Sequence, residues 1–132
     1  MTQLTSPLHI GIAEFAEPTL LLIGDAVAFA WLAEQVDARR DIKLAETHGV
    51  ACQAAVDLHL IPATRSGRLT RLSDEFGWEI SAIEAQQMAQ QLRELAATTS
   101  PAHAYLDTQS NMTGVQVVAS KGEYDPVKVF AA

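Results

Sequence analysis

The spacing of apolar residues changes period several times along the chain, and each change marks an element. Leu8, Ile10 and Ile12 alternate with His9, Gly11 and Ala13, the period-two pattern of a half-buried strand. Beyond Glu17-Pro18, the stretch Thr19 to Ile23 is apolar almost throughout, which predicts a central strand covered on both faces. Gly24 gives the chain room to turn, and Asp25 is a good N-cap for a helix from Ala26 to about Arg39. In that helix Ala26, Phe29, Leu32, Ala33 and Val36 form a core stripe, while Val27 and Trp31 lie on nearly the opposite side. Two readings of that pair stay open. Either the helix is buried on both faces, or Val27 and Trp31 face a partner or a second copy of the chain.

Asp41 to Glu46 reads as a short strand, suited to a sheet edge, followed by a turn at Thr47-His48-Gly49. Ala54 to Ile61 reads as a longer strand with Val56, Leu58 and Leu60 on one face and Asp57, His59 and Ile61 on the other. Pro62 stops it, and Ala63 to Gly67 predicts a hairpin loop onto Arg68 to Leu72. Asp74-Glu75 interrupts the pattern before Phe76, Trp78 and Ile80 resume it, with Trp78 assigned to the core. The clearest helix is Ser81 to Ala97. Ser81 and Glu84 form a capping box, and Ala85, Met88, Ala89, Leu92, Leu95 and Ala96 fall on one stripe. Ser100-Pro101 ends it, and Ala102 to Asp107 and Val115 to Ala119 read as paired strands joined by a polar loop. The tail from Lys121 carries Tyr124, Val127, Val129 and Phe130 and is expected to pack on the body or on a neighbour.

No internal repeat or linker is legible. These elements predict a single α+β domain: a mostly antiparallel mixed sheet of about six to eight strands, with two helices on one face. The length of 132 residues suffices for a core without metal or disulfide support, and the lone Cys52 excludes an internal disulfide. The N-terminus lacks a basic region followed by an apolar run, and no apolar run approaches a membrane span. Both point to a cytoplasmic protein. A formal charge of −7 repels phosphate backbones and anionic lipid, so neither nucleic acid nor membrane is an expected partner. The basic cluster Arg65, Arg68 and Arg71 has no interleaved aromatic residue and reads as a solvated edge.

Candidate chemistry is sparse. His9, His48, His59 and His103 do not have the spacing of a local ligand set, and no metal or cofactor is expected. Cys52 has no basic neighbour to lower its pKa. The most suggestive polar strand faces are Asp57-x-His59 and His103-x-Tyr105-x-Asp107. Were their strands adjacent, His59, His103, Tyr105 and Asp107 could converge on one catalytic site. Ile83, like Val27 and Trp31, is apolar on a helix face expected to meet water, so these three form the candidate interaction surface. The expected function is therefore a small acidic interaction or regulatory module that binds a protein partner or forms a homodimer through apolar helix faces. A hydrolase or isomerase-like enzyme using the histidines is the rival. A small-ligand sensor, with Trp78 or Tyr105 lining a closed cavity, is the third class.

Overall fold

A computed structural model describes residues 4–53, 56–65, 67–73, 75–108 and 110–130. Ten strands fall into two five-stranded sheets. The first has the order β4 (Val50–Cys52), β1 (Leu8–Glu14), β2 (Pro18–Ile23), β10 (Gln116–Lys121), β8 (Ala102–Tyr105). The second has the order β3 (Ile42–Lys43), β5 (Asp57–Pro62), β7 (Glu75–Ile80), β6 (Arg68–Leu72), β9 (Ser110–Asn111). Helices α1 (Ala26–Asp37) and α2 (Ala82–Ala97) pack on each other, and their buried residues share one apolar core with both sheets. The α+β class holds. The strands are divided between two sheets rather than gathered in one, and each sheet holds two antiparallel and two parallel pairings.

The two sheets are related by a repeat that the sequence conceals. β1 pairs antiparallel with β2, as β6 does with β7. β4 runs parallel to β1 as β9 does to β6, and β10 runs parallel to β2 as β5 does to β7. β8 closes antiparallel on β10 as β3 does on β5. Thus β1-β2-α1-β3-β4-β5 and β6-β7-α2-β8-β9-β10 are one topology used twice, each half lending its third and last strands to the other's sheet. The ladder registers make residues equivalent: Leu20 with Phe76, Leu22 with Trp78, Leu58 with Val117, and Leu60 with Ala119. Matching the caps Asp25 and Ser81 aligns Phe29 with Ala85, Leu32 with Met88, Ala33 with Ala89 and Val36 with Leu92, all buried. Large and small side chains exchange places, Phe29 for Ala85 on the helices and Leu22 for Trp78 on the strands. Equivalent sites need not carry equal bulk, which tolerant packing allows.

Both helix caps form as their residues dictate. The Asp25 carboxylate accepts from the Ala28 N–H at 2.9 Å, and the Ser81–Glu84 box closes in both directions. Gly67 belongs to that box. A Cβ there would sit 1.7 Å from the Glu84 Oε1, whose carboxylate also accepts from the Thr108 hydroxyl. The Ala63–Gly67 segment does not form the expected hairpin, because β7 lies between β5 and β6 and runs parallel to β5. The tight turn is instead between β6 and β7, where Ser73 takes the left-handed conformation (φ 59°) that short hairpin connections need. The strand expected over Ala54 to Ile61 is described from Asp57, with Ala54 and Ala55 outside the described residues.

Helix α1 is covered nearly all round, leaving Ala26, Val27, Ala30, Glu34 and Asp37 exposed; Ala26 is therefore outside the core stripe expected of it. Trp31 is 5% exposed and belongs to the shared core, so it is not an interface anchor. Val27 and Ile83 do face water, at equivalent positions in the first turns of the two helices. The tail packs as expected. Asp125 caps the one-turn helix α3 (Pro126–Val129), and Phe130 is buried against the outer face of the first sheet with Ala13, Leu21, Ile23 and Val118. Among the described residues no helix is long and apolar enough to cross a membrane.

Candidate functional site

His59 and His103 stand on different sheets, so the convergence that a shared catalytic site requires does not occur. Each histidine has a carboxylate of its own. His59 Nε2 lies 2.5 Å from Asp41 Oδ1, and His103 Nδ1 lies 3.0 Å from Glu123 Oε2. Tyr105 meets the His103 ring edge-on at 5.4 Å between centroids and is otherwise exposed. Asp107 lies past the end of β8, in an open groove beside Ser81 and Ile83. Sequence reasoning placed His59, His103 and Tyr105 on strands, but the strand it drew to Asp107 ends at Tyr105. It could not place those strands in different sheets.

Glu123 is held by two donors. Burial alone pushes its pKa up, but hydrogen bonds from the Ser120 hydroxyl (2.7 Å) and His103, together with the His103 charge, outweigh it and hold the carboxyl below its usual 4.5. A carboxyl depressed in the folded state contributes stability that is present above its unfolded pKa and lost as pH falls through the folded value. Glu123→Gln is therefore expected to flatten the loss of stability as pH falls below about 4.5, measured by urea unfolding. Parallel profiles for the two proteins over that range would refute it. Cys52 is the converse case. Burial and the nearby Asp57 charge raise its thiol to about 11, which leaves it protonated and a poor nucleophile at neutral pH.

The outer face of the second sheet offers the most developed polar cleft. Ladder register puts Lys43, His59, Gly77 and Thr70 in one row across β3, β5, β7 and β6. Asp57, Glu75 and Leu72 form the next row in the same order of strands. Gly77 leaves a gap between His59 and Thr70, and the result is an open hollow of about 250 Å³. Lys43 stands at one side, with Asp57 and Glu75 at another. Asp57 is oriented by the Ala45 N–H, which donates to it at 3.2 Å. Leu72 is 77% exposed at the rim.

Gly77 is the residue that sequence reasoning missed. Glycine in a strand interior costs roughly 0.5–1 kcal/mol and marks either a bulge or a place where something approaches the backbone closely. The fold does not require it here. A Cβ at Gly77 would meet only Thr70 Oγ1 at 3.4 Å and Ile61 Cδ1 at 4.0 Å, both ordinary contacts, and its φ is not positive. Each of the other six glycines has either a side chain pressed within 3 Å of its missing Cβ or a positive φ. The available signal was a lone glycine inside a clean alternating strand, Glu75 to Ile80.

The corresponding place on the first sheet is covered, and a smaller open hollow of about 130 Å³ remains beside the cover, against His9, Cys52 and Gln53. Under the cover, Gly11 occupies the rung that corresponds to the one holding Thr70 and Gly77, and the Phe130 ring lies over it, 2.9 Å from where a Cβ would stand. Gln53 Nε2 fastens the cover by donating to the Phe130 carbonyl at 3.0 Å. The inner space is small by comparison: a cavity beside Val36, Arg39 and Ala85 measures about 10 Å³, room for one water at most. Neither Trp78, which is buried, nor Tyr105, which is exposed, lines that cavity. Among the described residues no group of three or more His, Cys, Asp and Glu side chains is placed to hold a metal ion. Comparison with protein-family models, with curated proteins and with solved structures finds no match to this chain.

Proposed function

We propose that this chain is a protein-interaction module that receives its partner on the outer face of the second sheet. The observation that carries the reading is the asymmetry between two equivalent faces. One is covered over Gly11 and Leu21 by the chain's own C-terminal turn; the other keeps an open hollow at the corresponding place, over a glycine that neither backbone conformation nor packing demands. Natural sequences depart from local stability rules mainly where function requires it. The net charge of −7 favours encounter with a basic partner and slows that encounter as salt rises. The helix faces are the weaker surface, since burial of Trp31 removes their aromatic anchor and leaves Val27 and Ile83.

The test is affinity capture from the native lysate followed by reconstitution with the purified captured protein. Wild type, Thr70→Arg and Ile83→Asp serve as three baits of equal stability. A partner retained by wild type and Ile83→Asp but lost by Thr70→Arg, in the lysate and with purified components, is the expected result. Loss on Ile83→Asp with retention by Thr70→Arg would move the docking surface to the helices and end this reading.

A further inference from the structure

Past the end of α1 the fold holds a cation that it satisfies only in part. Arg39 follows the C-cap residue Ala38 and takes the left-handed conformation (φ 54°) that this position usually gives to glycine. From there its side chain reaches the second sheet, where β5 and β7 end. Nη2 donates to the Ala63 carbonyl at 2.5 Å and to the Ile80 carbonyl at 3.1 Å. The Arg39 Nε is buried and donates to nothing among the described residues. None of the ion pairs among those residues includes Arg39.

A guanidinium keeps its proton throughout the range in which proteins fold, so this charge is not relieved by neutralisation. A buried donor left unpaired costs about 1–3 kcal/mol, and more on a charged group. In a folded protein such a donor marks the place of a water or an ion. Arg39 and Arg40 both line the small cavity of about 10 Å³, whose other walls are apolar side chains of α1, β5, β7 and α2. Its lining thus carries two positive charges and no carboxylate. A water there would satisfy the N–H and leave the charge uncompensated; an anion answers both. We propose that this cavity is an anion site that takes one halide ion, chloride, on the Arg39 Nε.

The volume selects the ion. Phosphate, sulfate and carboxylates are too large for a space that admits a single guest of about the size of a water. Chloride is one atom, somewhat larger than water, and Arg40 is an exposed side chain that can give way to it. The net charge of −7 opposes anions in general, so affinity has to come from this local pair of arginines. The site shares no residue with the open hollow on the outer face of the second sheet and stands apart from its role.

Titration of the full chain with sodium chloride at constant ionic strength, balanced with sodium gluconate and followed by the chloride-35 NMR line width, tests this. Wild type and Arg68→Gln, which removes an exposed arginine elsewhere, are expected to show the same saturable broadening. Arg39→Gly suits the left-handed backbone and removes the donor, and should weaken chloride binding at least about tenfold. Arg39→Lys keeps a cation without the Nε and should do the same; it carries the comparison if the glycine variant does not fold. Wild type without saturable broadening would overturn the proposal in favour of a water. Broadening that survives both Arg39 substitutions at unchanged affinity would overturn it by placing chloride elsewhere.

Discussion

Trp31→Asp is expected to unfold the protein or to lower its stability by more than about 4 kcal/mol, because it buries an unpaired carboxylate in the shared core. Trp31 is 5% exposed, and its helix is covered on every side except at Ala26, Val27, Ala30, Glu34 and Asp37. Thermal unfolding should register the change as a drop on the order of 10 °C or more. Ile83→Asp, at a position 69% exposed, should stay within about 0.5 kcal/mol of wild type. Urea unfolding of the two variants side by side separates the possibilities. A near-neutral Trp31→Asp would mean that the side chain reaches solvent, and would return the helix face to consideration as a docking surface.

Local chemistry was legible wherever a signal is carried by neighbours in sequence. The Ser81–Glu84 box, the Asp25 cap, the alternation at Phe76, Trp78 and Ile80 and the central position of Leu20–Ile23 all follow from period and capping. What failed was everything that depends on which strands meet. Asp57 to Pro62 followed by a short loop and Arg68 to Leu72 looks like a hairpin, yet the chain inserts β7 between them. The repeat was hidden for a related reason: equivalent positions exchange bulk, as Phe29 and Ala85 do, so no residue-by-residue likeness survives.

The candidate site shows the same division. His59 and Asp57 were readable as the polar face of a strand, but the face becomes a hollow only because Gly77 falls between His59 and Thr70 in register. Register belongs to the assembled sheet. The interlocking of the two halves also matters for function. Because β3 and β5 come from one half and β6, β7 and β9 from the other, the hollow is built across the repeat and exists only when the whole chain has folded.

Two glycine substitutions are expected to act with opposite sign, and that contrast bears most directly on the site. At Gly11 a Cβ would lie 2.8 Å from the Gln53 Cβ and 2.9 Å from the Phe130 ring, the two side chains that hold the C-terminal turn in place. Gly11→Val should therefore cost about 1–3 kcal/mol as the cover is forced off. Gly77→Val meets only ordinary contacts and replaces a poor strand former with a good one, so it should stabilise by up to about 1 kcal/mol. Phe130→Ala distinguishes overpacking from any general intolerance of the sheets. With the ring gone, the cost of Gly11→Val should shrink by at least about 0.5 kcal/mol, whereas the gain from Gly77→Val should be unchanged. Chemical denaturation of the three single and two double variants, beside wild type, measures both coupling energies. If Gly77→Val destabilises, the glycine is a structural requirement and the hollow loses its claim to be kept open for a partner. If the Gly11–Phe130 pair proves additive, the ring is not what bars a side chain at Gly11.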